Sequence, residues 1–194
     1  MATTHGPERT RRAPNLHAPI RFPEPADDTA AAAPGPAARV ALAATRIVVG
    51  WTFLWAFVDK LLGLGHATPA GQGWLDGGSP TLGFLSGTTG PFAGIYHDLA
   101  GTAFANWAFM LGLLGIGVAM TLGIGMRIAG VSGALLYVLM WTASLPTTTN
   151  PVTDDHVLGA LIVAVLALLG AGRYFGLGGW WRGTALVTRL PWLA

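Results

Sequence analysis

Residues 39–62 read RVALAATRIVVGWTFLWAFVDKLL, and Arg46 is the only charge between Arg39 and Asp59. A helix needs roughly 20 apolar residues to cross a bilayer. The stretch therefore reads as a membrane-crossing helix with one ionised side chain inside it. The rest of the chain supports that reading. Of 194 residues, 52% are hydrophobic and 10% charged, where soluble domains carry about 25% charged residues. Asp98 to Arg127 encloses 28 uncharged residues and Arg127 to Asp154 encloses 26, each room for another crossing.

Four spans are expected: 39–62, 102–122, 127–145 ended by Pro146, and 155–173. The first and second are joined by a long connector, 63–101, rich in Gly, Ser and Thr yet carrying Trp74, Leu75, Phe84, Leu85, Phe92, Ile95 and Tyr96. So many large apolar groups predict short interfacial helices lying over one end of the spans. Residues 1–36 hold seven prolines with no apolar periodicity and read as a disordered tail. Residues 179–194 mix Trp180, Trp181, Arg182, Arg189 and Trp192, a composition suited to the headgroup layer. The expected fold is an all-α integral membrane protein: an antiparallel four-transmembrane-helix bundle over 37–178, with interfacial segments in its first outer loop.

Cytoplasmic loops of membrane proteins collect arginine and lysine. With the N-terminus in the cytoplasm, four crossings return the C-terminus there, and every arginine falls on or near that side while Lys60 stands alone outside. The predicted location is the cell membrane, with both termini cytoplasmic. The same assignment gathers Asp59, Asp76, Asp98, Asp154 and Asp155 with His66, His97 and His156 at the outer face.

Lipid does not press helices together by the hydrophobic effect, so close contact between small residues is needed. Ala108/Gly112, Gly115/Ala119, Ala129/Gly133, Gly130/Ala134, Ala160/Ala164 and Ala167/Ala171 recur at four-residue spacing and predict the packed faces.

Several residues could carry chemistry. Arg46 lies roughly 10 Å deeper than Arg39 along a helix. It either snorkels to the near headgroups or anchors a buried polar network or ligand headgroup, with Asn106, Ser132, Tyr137 or backbone carbonyls as partners. Lys60 is either an ordinary interfacial lysine or the partner of Asp154, Asp155 or Asp98 across the mouth of the bundle. In NPVTDDH (150–156), Asn150 or Thr153 can cap a helix and Pro151 suits its first turn. Two acids and a histidine exceed what capping needs. A histidine near a carboxylate can move protons near neutral pH, and Gly159, one turn after Asp155, leaves open space beside that carboxylate. His97–Asp98 is a second such pair. The absence of cysteine removes thiolate redox centres and cysteine-held iron–sulfur or zinc sites. The three outer histidines share no HxxxH or HxH spacing, so neither metal nor haem is signalled.

With these residues in view, the chain resembles the DoxX/DoxD family of small four-helix membrane proteins. Arg46, Gly50, Phe53 and Lys60 match the family's first-span pattern, and Asp155, His156, Ala160, Gly170 and Gly172 match its fourth. The segment DKLLGLGHATPAGQGWLDGGSPTLGFLSG (59–87) is also similar to DoxD-like members. Where many relatives carry a His-Gly pair, this chain has Ala56-Phe57, so that histidine's role is either missing or supplied by another segment such as His97 or His156. The resemblance implies a membrane subunit of thiosulfate:quinone oxidoreductase type. A net-negative outer face suits a neutral quinone better than a thiosulfate dianion.

The expected catalytic residues are Asp155, His156 and Lys60. The expected quinone-binding residues are Arg46, Asp59, His97, Asp98 and Asp154. Quinone is the expected electron acceptor and no resident metal is expected. Expected partners are the lipid bilayer, quinone, and a second redox subunit or second copy of this chain, with no nucleic acid. The alternative is a non-catalytic scaffold or anchor for a redox partner.

Overall fold

The computed structural model describes residues 33–148 and 150–193; most of the tail expected to be disordered lies outside them. The described residues form helices and turns with no strand. Four longer helices are present: α1 (Pro36–Leu62), α4 (Ala103–Leu122), α5 (Met126–Ala143) and α6 (Asp155–Leu168). Short helices α2 (Leu82–Ser86) and α3 (Ala93–Leu99) lie in the connector, and α7 (Gly178–Arg182) and α8 (Ala185–Arg189) follow α6. By length and composition α1, α4 and α5 can each cross a membrane.

The fourth expected span is shorter than predicted. Helix α6 has 14 residues and stops at Leu168, about 21 Å at 1.5 Å per residue, against a hydrocarbon core of about 30 Å. Gly170 takes a left-handed φ of 61°, breaking the helix before a 3-10 turn over Ala171–Arg173. Hydropathy alone could not register that break, because Leu-Gly-Ala-Gly is apolar throughout.

Helix α1 packs along α4, and α5 packs along α6, with α4 against α5. Phe53, Met110, Leu113, Ile116, Met120, Val163 and Leu166 form the core. The outward faces carry exposed Trp51, Phe104, Trp107, Leu111, Val131 and Leu161. An apolar exterior of this kind fits a lipid environment.

One close helix contact lies outside those the spacing predicts. A Cβ on Gly50 would lie 2.5 Å from Thr121 Oγ1, and one on Gly117 would lie 2.8 Å from the Leu54 side chain. These two glycines bring α1 and α4 together. Of the predicted residues, Gly130 meets Ala167 at the α5–α6 contact and Gly133 meets Ile116 and Val163. Gly115 faces open space and Gly112 has only Leu136 nearby. Every third or fourth residue being small marks a face; which face meets a partner depends on the partner's own small residues.

The connector closes over one end, as short helices rather than free loop. Trp74 packs edge-on against Trp107 at the start of α4, centroids 4.7 Å apart. Tyr96 on α3 donates its hydroxyl to the Leu139 carbonyl at 2.9 Å near the end of α5.

Candidate functional site

The two ends of the helices have opposite chemistry. At one end, Arg46 extends from α1 and is wholly buried. One Nη donates to the carbonyls of Met120 and Thr121, the latter at 2.9 Å; the other reaches Tyr174 at 3.4 Å and Phe175 at 3.1 Å. Met120 and Thr121 lie in the last turn of α4, where carbonyls lack intrahelical partners and the dipole is negative. Glycine makes the approach feasible: a Cβ on Gly176 would stand 2.9 Å from Nη2 and one on Gly123 3.0 Å from Nη1. Arg46 therefore does not snorkel. It anchors a buried network built from backbone carbonyls, and Asn106, Ser132 and Tyr137 are not its partners. By bridging these carbonyls it locks α1 to α4 and to the segment after α6.

At the opposite end, Asp59 is 1% exposed. Its carboxylate accepts the backbone N–H of Thr68 at 2.8 Å and of His66 at 3.4 Å. Gly63, with φ 63°, turns the chain back so that those donors can reach it. Asp59 thus fastens the start of the connector. Its neighbour Lys60 makes no ion pair among the described residues; its ammonium lies 5.8 Å from the Phe109 ring centroid on α4. The expected pairing of Lys60 with Asp154, Asp155 or Asp98 is not found.

The start of α6 holds the most reactive geometry. Asp154 is the N-cap: Oδ1 accepts the backbone N–H of His156 at 3.0 Å and of Val157 at 3.2 Å. Neither Asn150 nor Thr153 caps the helix. Asn150 Oδ1 instead accepts from Val152 and Thr153 in the preceding turn. The second oxygen of Asp154 stands 2.7 Å from His156 Nδ1. Both side chains are partly buried, 17% and 23% exposed. Burial pushes the Asp154 carboxyl up, but the hydrogen bond from His156 and the two backbone donors outweigh it and hold it below the usual carboxylate range. The carboxylate thereby takes one ring nitrogen of His156, and Nε2 makes no hydrogen bond among the described residues.

Asp154, not Asp155, makes this contact. Asp155 is exposed. The expected open space at Gly159 is filled as well: a Cβ there would lie 2.6 Å from Cζ of Tyr137. The Tyr137 ring lies 6.4 Å from the His156 ring and 5.2 Å from Phe53 on α1. Lys60 is seven residues beyond Phe53 on the same face of α1, about 10 Å along the axis. Phe53 and Tyr137 thus connect the helix carrying Lys60 with the histidine.

His97 does not pair with Asp98. Its Nε2 is 2.9 Å from the Thr88 carbonyl, a contact within the connector. His66 lies edge-on to Trp55. The three histidines thus serve three places, and no group of metal ligands forms among the described residues. Sequence reasoning missed the role of Asn106. Its Oδ1 accepts from Ser79 Oγ at 3.0 Å, Thr81 Oγ1 at 2.7 Å and Thr81 N at 3.2 Å, while its amide reaches Gly101. An amide inside an otherwise apolar span was the available signal. Comparison with known protein families, curated proteins and solved structures finds no match.

Proposed function

We propose that the chain is an antiparallel four-helix protein of the cell membrane, both termini cytoplasmic, whose outer end reacts with quinone. Three apolar helices and the separation of arginines from carboxylates support the membrane half. The 14-residue α6 completes its crossing through the turn at Ala171–Arg173, at the end held by Arg46.

The contact between His156 Nδ1 and Asp154 Oδ2 carries the redox half. Reduction of a quinone to a quinol takes two electrons and two protons. A histidine oriented by a carboxylate at the boundary of an apolar helix layer can pass those protons one at a time to a headgroup, each drawn from the adjoining water. Tyr137 and Phe53 would flank that headgroup, with Lys60 above them. The DoxX/DoxD resemblance implies thiosulfate as the electron donor.

The decisive experiment is quinone reduction by the purified chain in liposomes, with thiosulfate as donor. His156→Ala should abolish it and Asp154→Asn should reduce it about a hundredfold, the low end of general acid–base contributions. Full rates in both variants contradict the reading.

One observation favours a second reading, a scaffold for a redox partner. Leu75 and Ile95 on the connector are 70% and 62% exposed, apolar surface for a partner to cover. A stoichiometric partner in membrane pull-downs, with no turnover by the chain alone, would favour it.

A further inference from the structure

At the arginine end, three cations converge without a carboxylate among the described residues. Gly170 brings two of them together: a Cβ there would lie 3.3 Å from Arg173 Nε and 3.7 Å from Arg182 Nη2. Arg127, in the first turn of α5, reaches toward Pro191 just beyond α8. Burial, then the charges of Arg173 and Arg127, lower Arg182 from the ordinary arginine value, so both charges act on it. Such a cluster raises its own energy unless an anion joins it. The first turn of α5 also lacks a side-chain cap and any acidic residue.

Directly beside the cluster runs an apolar groove of about 290 Å³ between α4 and α5. It is lined by Gly112, Gly115, Ala119, Ile128 and Ser132, and Trp181 forms one wall. Gly115 leaves it open, having nothing within 4 Å of where a Cβ would stand. Trp181 is fixed there by donating Nε1 to the Leu193 carbonyl at 2.8 Å. Arg182 follows it in sequence, and Gly125 at the groove's end is two residues from Arg127.

We infer that this is a binding site for one anionic phospholipid, its phosphate held by Arg127, Arg173 and Arg182 and an acyl chain lying in the α4–α5 groove. Charge complementarity selects an anionic lipid over a zwitterionic one, and the adjoining groove selects a lipid over free phosphate. The inference rests on the membrane reading above but not on the quinone reading.

The test is native mass spectrometry of the full chain in detergent, titrated with phosphatidylglycerol, phosphatidylcholine or inorganic phosphate. One phosphatidylglycerol should bind at least tenfold more tightly than phosphatidylcholine. At about 1 kcal/mol per basic residue near a membrane surface, Arg173→Gln with Arg182→Gln should weaken it roughly thirtyfold. Arg189→Gln, outside the cluster, should leave it unchanged. Gly115→Leu should weaken it with every arginine in place. Equal binding of both lipids overturns the site, as does wild-type affinity in the double variant. Displacement by millimolar phosphate would make it a free-anion site, and binding by Gly115→Leu at full strength would remove the groove from it. Either failure leaves membrane insertion, read separately by accessibility labelling, untouched.

Discussion

Arg46 on α1 donates to the carbonyl of Phe175, 129 residues away in sequence and 3.1 Å away in space. The same guanidinium reaches the last turn of α4. One side chain therefore fastens both ends of the polypeptide's apolar part.

Arg46→Met should destabilise the fold by about 3 kcal/mol or more, because several buried carbonyls lose their donor and each unsatisfied group costs about 1–3 kcal/mol. Arg46→Lys should recover little, since an ammonium lacks the planar fork. Thermal unfolding in detergent measures both. Wild-type stability in the Met variant would leave Arg46 free for a ligand role.

Gly50 and Gly117 predict a contrast with Gly115. Gly117→Ala places a methyl against Leu54 and should cost about 1–3 kcal/mol, the usual range for overpacking. Gly115→Ala meets open space and should be neutral or slightly stabilising as a helical alanine. Equal effects at the two positions would contradict the α1–α4 contact.

Asp59→Asn should loosen the start of the connector. The carboxylate accepts two backbone N–H groups, and hydrogen bonds to charged groups contribute about 1.5–3 kcal/mol each. Limited proteolysis should then cut between residues 63 and 73 faster than in the wild type, with the helices left intact.

Asp154 sets a pH dependence. Its folded carboxyl titrates below its unfolded value, so the stability it contributes is present above the unfolded pKa and lost as pH falls through the folded one. For an ordinary carboxyl near 3.9, fraying of the first turn of α6 should begin below about pH 4 and be absent at neutrality. Hydrogen exchange at His156 and Val157, whose N–H groups it accepts, reports this. Asp154→Asn should remove the acid step.

Much of the fold was legible because hydropathy and charge act locally. Helices α1, α4 and α5 begin and end within three residues of the expected spans, at Pro36, Leu122 and Ala143 among others. What escaped depends on distant backbone. No spacing rule reports that Arg46 will meet carbonyls at 120 and 175, or that the ring of Tyr137 will fill the hollow at Gly159. The site was half legible for the same reason. NPVTDDH announced a carboxylate–imidazole pair, but the choice of Asp154 over Asp155 follows from which residue takes the N-cap conformation. His97 and Asp98 are adjacent in sequence, yet the histidine turns to Thr88.

The claim beneath the rest is that four crossings set the carboxylates and histidines on one side and the arginines on the other. The chain has no cysteine, so a single introduced thiol reports its own position without background. Lys60→Cys, Asp155→Cys and Arg182→Cys can each be labelled in intact cells with a membrane-impermeant maleimide. Thiols at 60 and 155 should react at once, and the thiol at 182 only after the membrane is opened. Labelling of 60 and 155 from different sides, or of 182 from the same side as 60, contradicts the account.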